Sequence, residues 1–173
     1  IIMYTEVTTE RKMAELALRE SEEKYRRLHE SMTDAYARVD MTGRIVETNT
    51  SFDSLLGYAP EELRQMTYKD ITPEKWYEVE ERVLREQVMV RGYSDVYEKE
   101  YRRKDGTVLP VELRVFLLAD GEGLPVDMWA IVRDITQRKR MEDARRFLAD
   151  CGYLYPGDEY FHSLARYLAE ALD

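Results

Sequence analysis

Apolar and polar residues alternate in five short segments of the chain, and turn-forming residues bound each segment. Such alternation is typical of β-strands that bury one side and expose the other. Gly43 can supply the positive φ of a hairpin turn between the first two segments, and Asp105-Gly106 is a strong hairpin signal between the third and fourth. The pattern predicts five strands, at residues 35–40, 44–49, 95–103, 107–118 and 126–136.

The segment between the second and third strands contains residues that begin and end helices. Asn49 is a good N-cap for a short helix that Gly57 would end, and Pro60 suits the first turn of a second helix. Pro73 opens a longer helix that ends near Gly92. The order β-β-α-α-α-β-β-β predicts an α+β fold, with one five-stranded antiparallel sheet and the helices on one face. In the longer helix, one face is predicted to hold Trp76, Val79, Val83 and Gln87.

Residues 9–32 contain neither Gly nor Pro, and small or apolar residues recur there at alternating spacings of four and three. This pattern predicts a long linker helix with a heptad seam. The helix can form a short parallel coiled coil or pack against its own domain, and the pattern leaves both open. The seam consists of Ala14, Leu18, Ser21, Tyr25, Leu28 and Met32.

A short motif occurs on both sides of the predicted domain. Glu6-Val7-Thr8 precedes one charged segment, and Asp134-Ile135-Thr136 precedes another. In both places a strand would end and run directly into a helix. We therefore expect residues 1–8 to be the last strand of a preceding domain and the chain to be part of a longer protein.

Composition narrows the class of protein. The 173 residues suffice for one domain with appendages, and the net charge of −9 argues against binding to nucleic acid or to anionic membranes. The single Cys151 excludes an intrachain disulfide and a Cys-rich zinc site, and it favours a reducing, cytoplasmic compartment. The longest apolar run, residues 115–119, is far too short to span a bilayer, so no membrane contact is expected.

Four motifs occur along the chain in a fixed order: Asn49-Thr50-Ser51-Phe52, residues 57–63, residues 101–107 and Arg133-Asp134-Ile135-Thr136. Together they resemble the PAS sensory domains of bacterial signalling proteins, and the resemblance covers residues 21–141. It implies a sensory module of a histidine kinase or a diguanylate cyclase. Such a module senses a small ligand or a partner and relays the signal through its flanking helices; the alternative is a ligand-free dimerisation or relay module.

The flanking segments extend this resemblance. Residues 19–25 resemble the linker between consecutive PAS domains, and residues 151–173 resemble the opening of a GAF domain. Neighbouring PAS and GAF domains and a second copy of the chain, in a homodimer, are therefore the expected partners. The implied plan is the end of a preceding PAS domain at 1–8, a linker or coiled-coil helix at 9–32, the PAS domain at 33–137, a linker helix at 138–155 and a truncated GAF-like start at 156–173.

Nothing in the sequence predicts catalysis or a metal site. His29 and His162 lie on the flanking helices, and no nucleophile occurs with a base and an orienting group. His29-Glu30 resembles the phosphoacceptor dipeptide of histidine kinases, but the residues that follow do not continue that pattern. We expect this fragment not to be an enzyme.

PAS domains bind varied ligands between the sheet and the helices, and the sequence limits the choice of cofactor. Haem needs an axial ligand, but residues 60–92 contain no His. Flavin photosensors of this fold use a Cys in the same segment, whereas Cys151 lies beyond the last strand. Haem and a flavin adduct are therefore not expected, and the cofactor is left open.

Strand alternation and the facing helices define a set of ligand-pocket candidates. A small, largely apolar or aromatic ligand would be held by hydroxyl groups of Thr48, Tyr58, Tyr97 or Tyr101. The same side chains could instead fill the core without a cavity. The candidates are Ala37, Val39, Thr48, Phe52, Leu56, Tyr58, Ile71, Thr72, Trp76, Val79, Tyr97, Tyr101, Val111, Leu113, Val115, Met128, Ala130 and Val132.

Lys99 is the only charged residue for which this reading gives an inward direction. An unpaired ammonium group is costly to bury. We therefore predict that Lys99 extends along the core and places its charge at the rim, in preference to facing an acidic group of a ligand.

The outward face of the sheet is predicted to carry Phe116, Trp129 and Ile131 beside arginines. Neighbouring apolar side chains on an open face need a cover, which either a second subunit or the helix that carries Leu18, Tyr25 and Leu28 could provide. At the end of the last strand, we expect Asp134, Ile135 and Thr136 to pass a signal into the helix that follows.

Overall fold

The computed structural model describes Lys24 and residues 34–154, with side chains as far as residue 147. The predicted fold class is confirmed, because five strands in this part of the chain form one antiparallel sheet and short helices connect the second strand to the third. Every predicted strand end lies within two residues of the observed one. The strands are β1 (Ala35–Asp40), β2 (Ile45–Thr48), β3 (Tyr97–Arg102), β4 (Val108–Ala119) and β5 (Pro125–Asp134).

The helices begin and end at the residues that predicted them. Asn49 caps the first helix by accepting a hydrogen bond from the backbone N–H of Phe52 at 2.9 Å. Gly57 ends that helix with a left-handed φ of 75°, and Pro60 opens the next one. The helices are α1 (Thr50–Leu56), α2 (Pro60–Leu63), α3 (Tyr77–Val83), α4 (Met89–Arg91) and α5 (Thr136–Leu154), with a 3₁₀ turn at Glu74–Trp76 and a π turn at Leu84–Val88.

The strand order is β2-β1-β5-β4-β3, which places β5 at the centre between β1 and β4. The register brings Ala130 of β5 opposite Ala37 of β1 and opposite Val115 of β4. Because two of these three inward side chains are single methyl groups, the middle of the sheet leaves space beneath the helices.

The long helical stretch buries only part of the face predicted from its apolar spacing. Glu80, Val83 and Val88 are buried, whereas Trp76 and Val79 are only half-buried. The turn geometry changes from 3₁₀ to α to π along this stretch, so one 3.6-residue period does not describe it. Glu80 is buried because its charge is paired with Lys99 inside the domain.

Candidate functional site

A cavity of about 50 Å³ lies between the middle of the sheet and the start of the long helical stretch. Its wall is mostly apolar with a few polar groups, as in sites for small molecules. The predicted pocket residues on the wall are Ala37, Val39, Phe52, Ile71, Tyr97, Tyr101, Leu113, Val115, Met128 and Ala130. Tyr68, whose hydroxyl the sequence also suggested for the edge of the pocket, lies on the wall. The wall residues that were not among the predicted set are Ile45, Glu80, Leu84, Lys99 and Trp129.

The other predicted pocket residues are not on this wall. The hydroxyl of Thr48 donates to Asp53 Oδ1 at 2.6 Å, and the ring of Tyr58 lies 5.8 Å from the ammonium group of Lys104. Thr72 lies behind the wall, where its hydroxyl accepts a hydrogen bond from Lys99. The remaining residues are buried or half-buried around the cavity: Leu56, Trp76, Val79, Val111 and Val132.

Lys99 does not reach the rim, so that prediction is wrong. Its side chain is 2% exposed, and its ammonium group pairs with Glu80 across the interface between β3 and α3. The same nitrogen donates to Thr72 Oγ1 at 3.2 Å and lies 4.5 Å from the ring centroid of Tyr101. A carboxylate, a hydroxyl and an aromatic face thus surround the three N–H groups, which removes the cost of an unpaired buried cation.

Glu80 is the functional candidate that sequence reasoning missed, since Lys99 had been predicted to be the only inward charge. Its side chain is buried, at 5% exposure. The sequence does contain an indication that Glu80 is buried, because Leu84 and Val88 follow it at helical spacings of four and eight, on the same face. A buried lysine on a facing strand requires an acid, and Glu80 is the acid on that face.

Three tyrosines surround the Glu80–Lys99 pair. Burial raises the pKa of Tyr97 well above its ordinary value, and the negative charge of Glu80 raises it further. The same two causes raise the pKa of Tyr101 and of Tyr68. All three phenols therefore stay protonated at neutral pH and can donate a hydrogen bond. Burial also lowers the pKa of Lys99, against the opposing effect of Glu80.

Two polar atoms at the cavity have no hydrogen-bonding partner within the described part of the chain. They are the hydroxyl oxygen of Tyr97 and the second carboxylate oxygen of Glu80, Oε2. Both belong to residues on the cavity wall. Since buried polar groups are almost always hydrogen-bonded, these two atoms are the main candidates for contact with a small molecule.

Tyr68 reaches the cavity because of a close contact with the β1–β2 turn. The backbone N–H of Tyr68 donates to the carbonyl of Gly43 at 3.0 Å, and Gly43 has a φ of 87°. A Cβ atom at position 43 would lie 2.6 Å from Cε1 of the Tyr68 ring. Gly43 is thus needed both for the turn and for the position of this ring.

The outward face carries an aromatic stack, as its apolar pattern predicted. The rings of Phe116 and Trp129 stack at 4.2 Å, and Tyr36 lies 6.0 Å from Trp129. The guanidinium group of Arg114 lies 5.2 Å from the ring of Phe116. Ile131 and Phe116 line a shallow groove on this face. The predicted helical cover with Leu18, Tyr25 and Leu28 lies outside the described residues.

The junction between β5 and α5 is fixed by short hydrogen bonds. The backbone N–H of Thr136 donates to Asp134 Oδ1 at 2.7 Å, and that of the buried Ile135 donates to the carbonyl of Pro110 on β4 at 3.1 Å. Arg138, on the first turn of α5, pairs with Glu98 of β3 at 2.8 Å. Asp134, Ile135 and Thr136 thus connect the sheet directly to the helix.

The comparisons with known proteins agree with this architecture. A family model described as the PAS fold matches residues 29–140. The chain belongs to the PAS family. The PAS domain of a protein from Colwellia psychrerythraea has a TM-score of 0.63 at 22% identity, with 67% of this chain and 98% of that chain covered.

The relatives that this chain resembles in sequence are signalling proteins. The probable diguanylate cyclase DgcE of Escherichia coli strain K12 is 31% identical over 134 residues, and the C4-dicarboxylate transport sensor protein DctS of Rhodobacter capsulatus is 31% identical over 170 residues. The matches cover 76% and 94% of this chain but only 12% and 25% of the relatives. This PAS domain is a sensory module of a signal-transduction protein.

Some predictions concern parts that the described residues do not include. The preceding PAS strand at 1–8, the linker helix at 9–32 and the GAF-like segment at 156–173 lie wholly or almost wholly outside them. Within residues 34–154, no helix has both the length and the apolar character to cross a bilayer. The expected lack of haem and of a flavin adduct stays a prediction.

Proposed function

We propose that this PAS domain detects a small molecule in the cavity and passes the change to its C-terminal helix. It would act in the cytoplasmic part of a histidine kinase or diguanylate cyclase, between a preceding PAS domain and a GAF domain. The observation that carries the proposal is the Glu80–Lys99 pair, which joins the helical insert to the sheet at the cavity wall. A molecule bound there would contact both layers of the fold.

The relay would run from the cavity through β5 to α5. Met128 and Ala130 of β5 border the cavity, and Ile135 follows the end of that strand. A shift of β5 would change the Asp134 turn and the ion pair of Arg138 with Glu98, and thereby the direction of α5. Such coupling requires two states of the domain and a ligand that prefers one of them.

The test is Asp134→Ala in the full-length protein, with output activity measured across a range of signal strength. The variant is expected to remove the response while the domain still folds, as judged by circular dichroism. Asp120→Ala is the matched control, because Asp120 Oδ1 accepts from the backbone N–H of Glu122 at 2.9 Å in the same kind of turn, at the opposite end of β5 from α5. A normal response in Asp134→Ala would refute the relay.

A second candidate function is dimerisation without a ligand, which the Phe116–Trp129 stack on the outward face supports. In this proposal, two copies bury their aromatic stacks against each other in a homodimer. Sedimentation of the 173-residue chain over a range of concentrations tests it. A wild-type dimer that Trp129→Ala converts to a monomer is expected, and a wild-type chain that is monomeric throughout would refute the proposal.

A further inference from the structure

The polar groups at the cavity restrict what chemistry a ligand can have. The ammonium group of Lys99 already contacts Glu80, Thr72 and the ring of Tyr101. An ammonium group has three N–H donors, so little capacity is left for an anion. The free capacity is instead on Glu80 Oε2, which only accepts, and on the hydroxyl of Tyr97, which can donate or accept.

Charged ligands fit this arrangement poorly. A carboxylate ligand would be repelled by the negative charge of Glu80, and it has no proton to donate to Glu80 Oε2. A cationic amine would be attracted by Glu80, but it would lie beside Lys99 and would lose its hydration in an apolar cavity. A neutral hydroxyl group matches both free atoms, because it can donate to Glu80 Oε2 and accept from the hydroxyl of Tyr97.

The size of the cavity limits the rest of the molecule. A volume of about 50 Å³ corresponds to roughly three to five non-hydrogen atoms, at ~10–15 Å³ for each water-sized group. Away from Glu80 and Tyr97, most of the wall is apolar, with aliphatic side chains such as Leu84, Val115 and Met128. The ligand would therefore carry a short apolar body beside its polar end.

We infer that the cavity binds a small neutral alcohol, whose hydroxyl group bridges Glu80 and Tyr97 and whose short alkyl part lies against β4 and β5. This inference rests on the proposed function, since it names the class of molecule that the sensor detects. The sequence predicted four residues whose hydroxyl groups could hold a ligand. Of these, the proposed alcohol site uses Tyr97 and does not use Tyr58, which is not on the cavity wall.

The test uses three probes with the same alkyl chain: 1-propanol, propionate and propylammonium. Each is titrated into the isotope-labelled 173-residue chain at neutral pH, and amide chemical shifts are followed by NMR. For 1-propanol, saturable shifts at wall residues such as Leu84 and Ala130 are expected, with a dissociation constant on the order of millimolar for so small a molecule. The two ions are expected to bind at least about tenfold more weakly.

Three variants make the test specific. Tyr97→Phe removes only the unpartnered hydroxyl and should weaken 1-propanol binding by about fivefold, the worth of one hydrogen bond. Tyr58→Phe is the matched control and should bind like the wild type. Ala130→Val narrows the cavity without touching its polar groups and should also weaken binding.

Several results would overturn the inference. They are equal or tighter binding of propionate or propylammonium, unsaturable shifts spread over surface amides, and saturable binding that Tyr97→Phe leaves unchanged. Failure of all three probes would refute the alcohol while Asp134→Ala could still abolish the response in the full-length protein. Conversely, a normal response in Asp134→Ala would refute the relay and leave the binding result intact.

Discussion

Each face of the sheet carries an exception to the usual pattern of an apolar inner face and a charged outer face. The inner face, under the helices, holds a buried ion pair, whereas the outer face carries stacked aromatic rings. On the inner face, Lys99 and Glu80 are 2% and 5% exposed. On the outer face, the described residues provide no element that covers Phe116 and Trp129, which lie beside the half-exposed Arg114.

This difference shows that each face is built for a different kind of contact. Buried charges cost stability unless they are paired, and here they pair with each other. The carboxylate oxygen left without a partner, Glu80 Oε2, is the atom that we propose a ligand contacts. An aromatic stack beside arginines is typical of surfaces that meet another protein surface. The inner face is thus suited to small molecules and the outer face to proteins.

The largest expected effect comes from breaking the inner pair at one end. Glu80→Ala leaves Lys99 buried without its counter-ion, and the free energy of unfolding should fall by about 3–5 kcal/mol in urea titrations. Glu81→Ala is the matched control on the same helix, since Glu81 pairs with Lys69 at the surface. Its cost should be about 0.5 kcal/mol or less.

A double variant sharpens this comparison. Replacing both charges with apolar residues, as in Glu80→Leu with Lys99→Met, should recover most of the stability that the single change removes. The same double variant should lose the alcohol site, because Glu80 Oε2 is gone. If Glu80→Ala were no more costly than Glu81→Ala, the inner pair would contribute no more than a surface pair.

The next effect concerns alkaline pH. The unfolded chain releases phenolic protons above about pH 10, whereas the folded chain retains them on Tyr97 and Tyr101, whose pKa values burial raises. The folded state then binds more protons, so the free energy of unfolding falls as pH rises, by about 3 kcal/mol in total at about pH 11 for the two groups. Lys99 has the opposite effect on the free energy of unfolding, because burial lowers its pKa. This effect is confined to pH values below the ordinary lysine pKa of about 10.5.

Urea titrations between neutral pH and about pH 11 measure this loss. Tyr97→Phe should remove about 1.4 kcal/mol of it, whereas Phe116→Leu, a change on the outer face that removes no titratable group, should remove none. Equal pH dependence in the two variants would contradict the assignment of the loss to the inner face.

A smaller effect is expected at the turn that positions Tyr68. Gly43→Ala combines a strained positive φ with a clash against the Tyr68 ring and should cost about 2 kcal/mol. Gly106 has the same φ of 87° with open space around it, so Gly106→Ala should cost only about 1 kcal/mol. Thermal unfolding of both variants checks this; equal losses would mean that the ring moves aside freely.

The smallest effect on stability is expected on the outer face. Trp129→Ala removes the stack with Phe116 and should lower the free energy of unfolding of the monomer by about 1 kcal/mol. A loss as large as that in Glu80→Ala would show that the outer stack belongs to the core of the domain.

The sequence predicted the parts of the fold that depend on local chemistry. Asn49, Gly57 and Pro60 each act where a cap, a left-handed residue and a first-turn proline are required. Period-two alternation likewise placed Ala37, Val115 and Ala130 on the inner face, and all three border the cavity. Each of these signals depends on only a few neighbouring residues, so it does not depend on how distant parts of the chain are arranged.

The pairing at the centre of the site could not be read in this way. Glu80 and Lys99 are nineteen residues apart in the sequence. Each belongs to a charged residue type that is rarely buried without a partner. Their burial makes sense only when both are considered together, with Thr72 and Tyr101 beside them. Likewise, Thr48 and Tyr58 are suitable hydrogen-bonding residues, but their partners lie away from the cavity.

The central position of β5 has a consequence for how the protein is made. β5 is the last strand of the domain to be synthesised, yet it forms the ladders with both β1 and β4. While the ribosome works through the domain, the β1–β2 and β3–β4 hairpins can form only as separate pieces with open edges. The sheet and its cavity close when residue 134 emerges, and α5 begins two residues later. The sheet of this sensory domain is therefore completed at the same step of translation at which its C-terminal helix α5 starts to appear.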